Sequence, residues 1–219
     1  KSNQKKVQIG LLIVGKPVDK CETLGEIFND CLTAFGGAYL RRIYQILDRA
    51  IRNRVPLVVT IAGPVGLSDQ HRVWLLPLIE RGWIAYLTVT DAICYHDGHD
   101  SLKFFNRRPI YSVNLFGDDS AYRDAGVIRV TDMGFDEEIL FEQDKMISAV
   151  LQRPEFQKKM TTTERNYLFG KYYTAQEERF SVTPGLLSTC MKYSVPVFVG
   201  AAADGSAFLN SVKLWALKQ

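Results

Sequence analysis

The sequence lacks the features that define several large classes of protein. Its longest apolar runs, such as residues 57–62, are strand-sized, far short of the about 20 residues that cross a membrane. Its four cysteines include no CxxC pair, which argues against a zinc site and a disulfide framework and favours reduced, mostly buried thiols. The net charge of +3 is small and the basic residues are dispersed. We therefore expect a cytoplasmic protein that binds neither membranes nor nucleic acid.

Strand-sized apolar segments alternate with amphipathic helices, and the length suits one domain over residues 1–219. The predicted strands are 9–14, Leu57–Ile61, Ile84–Val89, Val127–Val130 and 195–199. The predicted helices are 38–53, 68–81 and 136–151, with a further polar helix that ends at Gly170. This order predicts an α/β fold with a doubly wound, mainly parallel, Rossmann-like sheet and helices on both faces.

Unusual residues follow three of the predicted strands, and parallel packing would bring those strand ends to one edge of the sheet. Ala62, Gly63 and Pro64 follow the second strand and lead into a helix. Glycine there permits close backbone approach, and a helix amino terminus favours phosphate. The segment is not GxGxxG, and an ordinary strand-to-helix turn has the same composition.

A second set, Asp204, Gly205 and Ser206, follows the last predicted strand. A carboxylate among small residues can accept hydrogen bonds from ribose or amine donors, and glycine lets a ligand approach the backbone. An Asp-Gly pair also favours a plain surface turn. On the residues alone, a ligand site and a surface turn both remain open.

The densest polar cluster follows the strand Ile84–Val89 and holds two histidines, His96 and His99, with three carboxylates between residues 91 and 100. A histidine beside a carboxylate suits acid–base chemistry near neutral pH, and carboxylates attract a polyamine. We take His96 and Asp97 as the candidate catalytic residues. A metal site and a polar surface loop are the alternatives; the cluster offers no obvious third ligand, and no metal is predicted.

The amino-acid sequence of the last strand and its turn, YSVPVF followed by DGS, resembles that of the deoxyhypusine synthase family. That family includes bacterial and archaeal homospermidine-type paralogues. The resemblance extends from about Phe35 to Leu217. The pair His96-Asp97 is similar to the His-Asp of the bacterial paralogues, and Leu168 to Lys171 resembles the family's Leu-Gly-Lys element.

The resemblance implies an NAD-dependent enzyme that oxidises spermidine or a related polyamine and passes its aminobutyl group through an imine on a lysine. The implied acceptor is a translation-factor lysine or another amine. A Rossmann-type sheet and a homo- or hetero-tetramer with active sites at dimer interfaces are also implied. The positions that correspond to the family's NAD contacts are Ala62, Gly63, Pro64, Thr90, Asp91, Ala92, Asp204, Gly205 and Ser206.

Three later elements of the family have no counterpart in the 219 residues: its Gly-Gly-Gly motif, an Asp-rich loop, and the Glu-x-x-x-Trp-Gly-Lys segment that carries the lysine. We therefore expect the domain to be incomplete at its carboxyl-terminal end, as part of a longer enzyme. The alternatives are a catalytically inactive paralogue that regulates a partner subunit, and a plain nucleotide- or polyamine-binding module. The sequence assigns neither the donor nor the acceptor amine.

Overall fold

The computed structural model describes Gly10, residues 12–102 and residues 110–218, and it contains two compact units, Lys1–Val55 and Pro56–Gln219. In the first unit, short helical turns lead into one long helix: Val18–Lys20, Leu24–Glu26 (α1), Ile27–Cys31 and Phe35–Arg52 (α2). Of the strand predicted at 9–14, Ile9 and Leu11 lie outside the described residues, and residues 12–14 form no strand. The helix predicted at 38–53 is confirmed as α2.

Two cysteines of the first unit lie side by side. The Sγ atoms of Cys21 and Cys31 are 3.4 Å apart, although ten residues separate them in the chain. The helical turns between the two residues bring them together. A spacing of ten residues does not by itself predict this contact. Cys94 and Cys190 are buried, as predicted.

The second unit contains two three-stranded sheets. The first is parallel with the order β1-β2-β6, and its strands are Leu57–Ile61 (β1), Ile84–Val89 (β2) and Val197–Val199 (β6). The second is antiparallel with the order β3-β5-β4, and its strands are Tyr111–Ser112 (β3), Val127–Val130 (β4) and Met133–Asp136 (β5). The helices are Gly63–Leu67 (α3), Gln70–Glu80 (α4), Asp91–His96 (α5), Asp119–Asp124 (α6), Glu138–Leu151 (α7), Thr162–Phe180 (α8), Leu186–Lys192 (α9) and Ser206–Ala216 (α10).

The strand Val127–Val130 exists as predicted but does not join the parallel sheet. It pairs antiparallel with β5, and only Thr131 and Asp132 separate the two strands. Thr131 has a φ of 57°, in the left-handed region that tight turns require. A connection of two residues can only make a hairpin, since a parallel crossover needs a dozen residues or more.

The parallel sheet packs one face into the main core. Ile61, Leu87, Val89 and Val199 are buried there among residues of the surrounding helices. On alternate positions, Val58, Tyr86 and Phe198 are exposed, and the rings of Tyr86 and Phe198 meet edge to face. The α/β class with a parallel sheet is therefore confirmed, whereas helices on both faces of that sheet stay a prediction.

Two helices differ from their predicted bounds for reasons of packing. The helix expected at 68–81 begins at Gln70, because Asp69 before it has a left-handed φ of 59°. The helix expected to end at Gly170 continues to Phe180. A side chain at Gly170 would meet the carbonyl of Leu187, so this glycine serves close contact between α8 and α9 and does not end the helix.

The outer edge of β6 is closed by side chains of α8. The Leu87 N–H donates to the Pro196 carbonyl. The backbone N–H and C=O groups of residues 196 and 198 therefore point toward β2, and those of residues 197 and 199 point away from it. On that outer edge, Asn166 donates to the Val197 carbonyl (2.9 Å). The Val199 N–H donates to the Thr162 hydroxyl (3.2 Å). Two backbone groups that would otherwise bind another strand are thereby satisfied.

We expect Asn166→Leu to lower the free energy of unfolding by about 1–3 kcal/mol, because the Val197 carbonyl loses its donor in a buried position. Urea unfolding monitored by circular dichroism measures the change. Gln176→Leu, the same kind of substitution at a half-buried position of α8, is the control. An equal effect of the two variants would show that the edge contact contributes nothing.

Candidate functional site

The carboxyl ends of the three parallel strands surround one cavity of about 720 Å³, the sheet-edge cavity. It is lined by residues 60–62, 88–92, 200–201 and 204–206. These segments follow β1, β2 and β6, so the parallel register brings together positions that lie far apart in the chain. All of the predicted cofactor positions line this cavity except Gly63 and Pro64, which begin the adjoining helix α3.

The first two strand ends are joined by a hydrogen bond and by close packing. The Gly63 N–H donates to the hydroxyl of Thr90 (3.0 Å). A Cβ added at Gly63 would lie 2.9 Å from the Cβ of Ala92, so only glycine permits this approach of α3 to α5. Gly63, predicted to allow close approach of a ligand, thus has a packing role.

Asp91 joins the second strand end to the third. Its side chain is buried, and its carboxylate accepts hydrogen bonds from Arg165 and from the N–H of Ala207 at the start of α10. A Cβ added at Gly205 would overlap the Asp91 side chain, which explains the glycine of the Asp-Gly-Ser turn. Asp204 is exposed at the rim of the cavity. Of the two aspartates, Asp204 is the one whose carboxylate is open to a ligand.

Asp97, a predicted catalytic residue, lies away from this cavity and is buried. Its two carboxylate oxygens accept hydrogen bonds from the N–H groups of Leu186 (2.6 Å) and Leu187 (2.7 Å), at the start of α9. A carboxylate at this position satisfies donors that a helix leaves open and interacts favourably with the helix dipole. These contacts are those of a helix cap.

His96 ends α5, and about 7–8 Å of helix rise separates it from Asp91 at the start. Its Nδ1 lies 3.2 Å from Nε2 of His99, so one ring nitrogen donates to the other. His96 is half-buried and His99 is buried, and both rings pack against Phe135. The structure therefore keeps the two histidines together and places them at the opposite end of α5 from the cavity.

Two further charged residues of α8 bind groups near the predicted site residues, and no local sequence pattern marks either of them. Arg165 donates to Asp91, and Glu177 lies near Asp97. Glu177 on α8 is buried and accepts hydrogen bonds from the Gly185 N–H (2.7 Å) and the Ser188 hydroxyl (2.9 Å). Burial, followed by the nearby negative charge of Asp97, raises the pKa of Glu177 to about 7. Only the packing of α8 against α9 reveals such a carboxylate, because Glu177 stands in an ordinary polar helix.

The raised pKa of Glu177 predicts a pH-dependent stability. Between its unfolded value near 4.5 and its folded value of about 7, the folded state binds more protons, so the free energy of unfolding falls as pH rises. One pKa unit corresponds to about 1.4 kcal/mol. We therefore expect the free energy of unfolding of Glu177→Gln, relative to that of the unaltered protein, to rise from pH 5 to pH 8.

Denaturant unfolding at several pH values measures this difference, with Glu178→Gln as the control for losing one carboxylate. A difference that does not change with pH would contradict the assignment.

A second cavity, of about 560 Å³, lies between α8, α9 and β6. Its lining is mostly apolar and contains none of the predicted site residues. In residues 12–102 and 110–218, no three His, Cys, Asp or Glu side chains come close enough to hold a metal ion. Within the same described part of the chain, no helix is both long and apolar enough to cross a membrane. The sheet-edge cavity is thus the candidate site that gathers polar groups from three strand ends.

The fold and the cavity together define a class: an α/β protein with a cavity at the carboxyl ends of its parallel strands, where proteins of this class commonly bind ligands. Comparison with known families narrows it, since the family model for deoxyhypusine synthase matches residues 26–218. The chain belongs to the deoxyhypusine synthase family.

Individual relatives agree with this assignment. A deoxyhypusine synthase-like protein of Nostoc punctiforme is 33% identical over 209 residues, which cover 94% of this chain and 53% of the relative. A second one, of Nostoc sp., is 32% identical with the same coverage. The chain therefore spans about half the length of these curated relatives. Among solved structures, a candidate deoxyhypusine synthase of Entamoeba histolytica superposes with a TM-score of 0.56 at 14% identity, covering 94% of this chain and 70% of that one. This likeness concerns the fold.

Proposed function

We propose that this chain binds NAD at the sheet-edge cavity and takes part in aminobutyl transfer from spermidine or a related polyamine to an amine acceptor. The observation that carries the proposal is the meeting of three strand ends, at Ala62, Thr90 and Asp204, in one cavity of a deoxyhypusine synthase family member. The resemblance assigns the imine-forming lysine to a segment that the 219 residues do not contain. For the residues of this chain we therefore propose cofactor binding, amine binding and proton transfer, and we assign the imine to that segment.

The residues of the cavity fit the nucleoside parts of NAD. The Asp204 carboxylate is exposed at the rim and can accept hydrogen bonds from ribose hydroxyls. Thr60, Thr88 and Ser206 add hydroxyl groups to a lining that is otherwise made of small and apolar side chains. When bound, NAD would supply the capacity to accept a hydride from the amine. The protein groups bind and orient the two reactants.

His96 remains the proposed proton-transfer group. Its ring is half-buried and hydrogen-bonded to His99, an arrangement that can hold one proton between two nitrogens. For Asp97, both oxygens of which accept backbone N–H groups, we propose a positioning role. A doubly wound Rossmann-like sheet, assembly into a homo- or hetero-tetramer, a cytoplasmic location and a translation-factor lysine as acceptor complete the proposal.

Titration calorimetry with NAD tests the site. We expect Asp204→Ala to weaken NAD binding about 10- to 100-fold, since a hydrogen bond to a charged group contributes about 1.5–3 kcal/mol. Asp124→Ala, which removes an exposed carboxylate at the end of α6, is the control. Unchanged NAD affinity of Asp204→Ala would contradict the site assignment.

An activity assay then separates the proposed reactions. The protein is incubated with spermidine and NAD, and putrescine, agmatine or the translation factor is added as acceptor. A new polyamine identifies a small-molecule transferase, and a modified lysine identifies a protein modifier. NAD binding without transfer to any acceptor would favour a catalytically inactive, nucleotide-binding paralogue.

A further inference from the structure

The amino terminus of α10, which borders the cavity, is already occupied by a carboxylate of the protein. The N–H groups of Ala207 and Phe208 donate to Oδ2 of Asp91, at 3.0 and 3.4 Å. Asp91 belongs to α5 and lies 116 residues before Ala207 in the chain. An eleven-residue helix directs its positive end at this point, which is the position where nucleotide-binding proteins hold phosphate.

A cation holds this carboxylate in place from the other side. Arg165 donates from Nη2 to Oδ1 of Asp91, and the two side chains are 11% and 1% exposed. The Arg165 guanidinium is itself held by the side-chain oxygen of Asn166, with Nε at 3.2 Å and Nη2 at 3.0 Å. Asp91 thus lies between a fixed arginine and a helix amino terminus, with both of its oxygens bound.

We propose that Asp91 determines ligand specificity by excluding phosphate from the start of α10. A phosphate placed there would find the N–H groups of Ala207 and Phe208 taken and would face a negative charge in the cavity wall. The inference rests on the proposed function and deepens it: the affinity for a dinucleotide comes from its nucleoside parts, and the phosphates contribute little. Arg165 holds the Asp91 carboxylate in this position through its contact with Oδ1.

The test compares adenosine, ADP and NAD by titration calorimetry on the purified chain. In the unaltered protein, we expect the dissociation constants of adenosine and ADP to agree within about threefold. Binding of ADP tenfold or more tightly than adenosine would overturn the inference. Asp204→Ala should weaken adenosine and ADP alike and leave their ratio unchanged.

Asp91→Ala should create the phosphate site that the native carboxylate fills, because Arg165 and the α10 N–H groups then face the emptied space. We expect its preference for ADP over adenosine to rise tenfold or more, and millimolar inorganic pyrophosphate to raise its melting temperature but not that of the unaltered protein. Asp119→Ala is the matched control, because Asp119 also lies in the first turn of a helix, α6, and forms an ion pair with Arg129. No gain of ADP preference in Asp91→Ala would contradict the inference.

A folding defect does not make the test undecidable. If Asp91→Ala does not fold, Asp91→Ser also removes the carboxylate and leaves a shorter polar side chain, so its ADP preference should still rise; an unchanged ratio would overturn the inference. If the unaltered protein binds neither adenosine nor NAD, the proposed function fails. The pyrophosphate-dependent melting of the Asp91 variant then decides the specificity role separately.

Discussion

Replacing Gly205 with alanine is expected to lower the free energy of unfolding by about 3 kcal/mol and to weaken ligand binding at the sheet edge. The added methyl group would overlap the Cβ and the carboxylate of Asp91, which are fixed by Arg165 and by the N–H groups at the start of α10. Relief of the overlap requires the Asp-Gly-Ser turn to move away from the end of β2, and the cavity between them changes shape. Denaturant unfolding and NAD calorimetry measure the two effects.

Gly200→Ala is the matched control for this prediction. Gly200 lines the same cavity, and a Cβ built on it meets nothing within 4 Å. The control should therefore fold with nearly unchanged stability. If Gly205→Ala were as stable as Gly200→Ala, the result would contradict the close packing of the turn against Asp91.

Removal of the Asp97 carboxylate is expected to have the second large effect. In Asp97→Ala, the buried N–H groups of Leu186 and Leu187 lose their acceptor, and the start of α9 loses a favourable negative charge. We expect a loss of about 3 kcal/mol or more in the free energy of unfolding, since each bond to a charged acceptor contributes about 1.5–3 kcal/mol. Thermal and denaturant unfolding give the measurement.

Two further variants separate a structural role of Asp97 from a catalytic one. Asp97→Asn keeps an acceptor oxygen and should recover part of the lost stability. Asp118→Ala removes the exposed cap of α6, which accepts from the Ser120 N–H (2.8 Å), and should cost only about 1 kcal/mol. An Asp97→Ala protein of native stability that had lost transfer activity would restore the catalytic assignment.

The parallel strands and the ends that carry the candidate site could be predicted because their signals are local. Leu57–Ile61 and Ile84–Val89 are strand-sized apolar runs, and both are strands with the predicted bounds. The polar and small residues after each strand then had to meet wherever the strands pair in parallel. The hairpin of Val127–Val130 is one exception, because the left-handed φ of Thr131 gives no signal in the residue type. Residues 12–14 are another, since this apolar run forms no strand.

Contacts between distant segments could not be predicted in the same way. Asp97 caps a helix 89 residues later, and Asp91 caps one 116 residues later. As residue types, both aspartates suit a ligand site equally well. Gly170 gives a similar case, because a glycine that ends a helix and one that admits a neighbouring helix are the same letter in the sequence.

The sequence by itself determined the family, the parallel strands and the three strand-end segments, since apolar runs and short motifs are properties of neighbouring residues. The tertiary structure alone decided which of these polar residues face the cavity and which support the fold. It left Asp204 exposed at the rim, and it buried Asp91 and Asp97 against helix amino termini. The physical reason is that a buried carboxylate needs donors, and the donors here come from segments that only folding brings near.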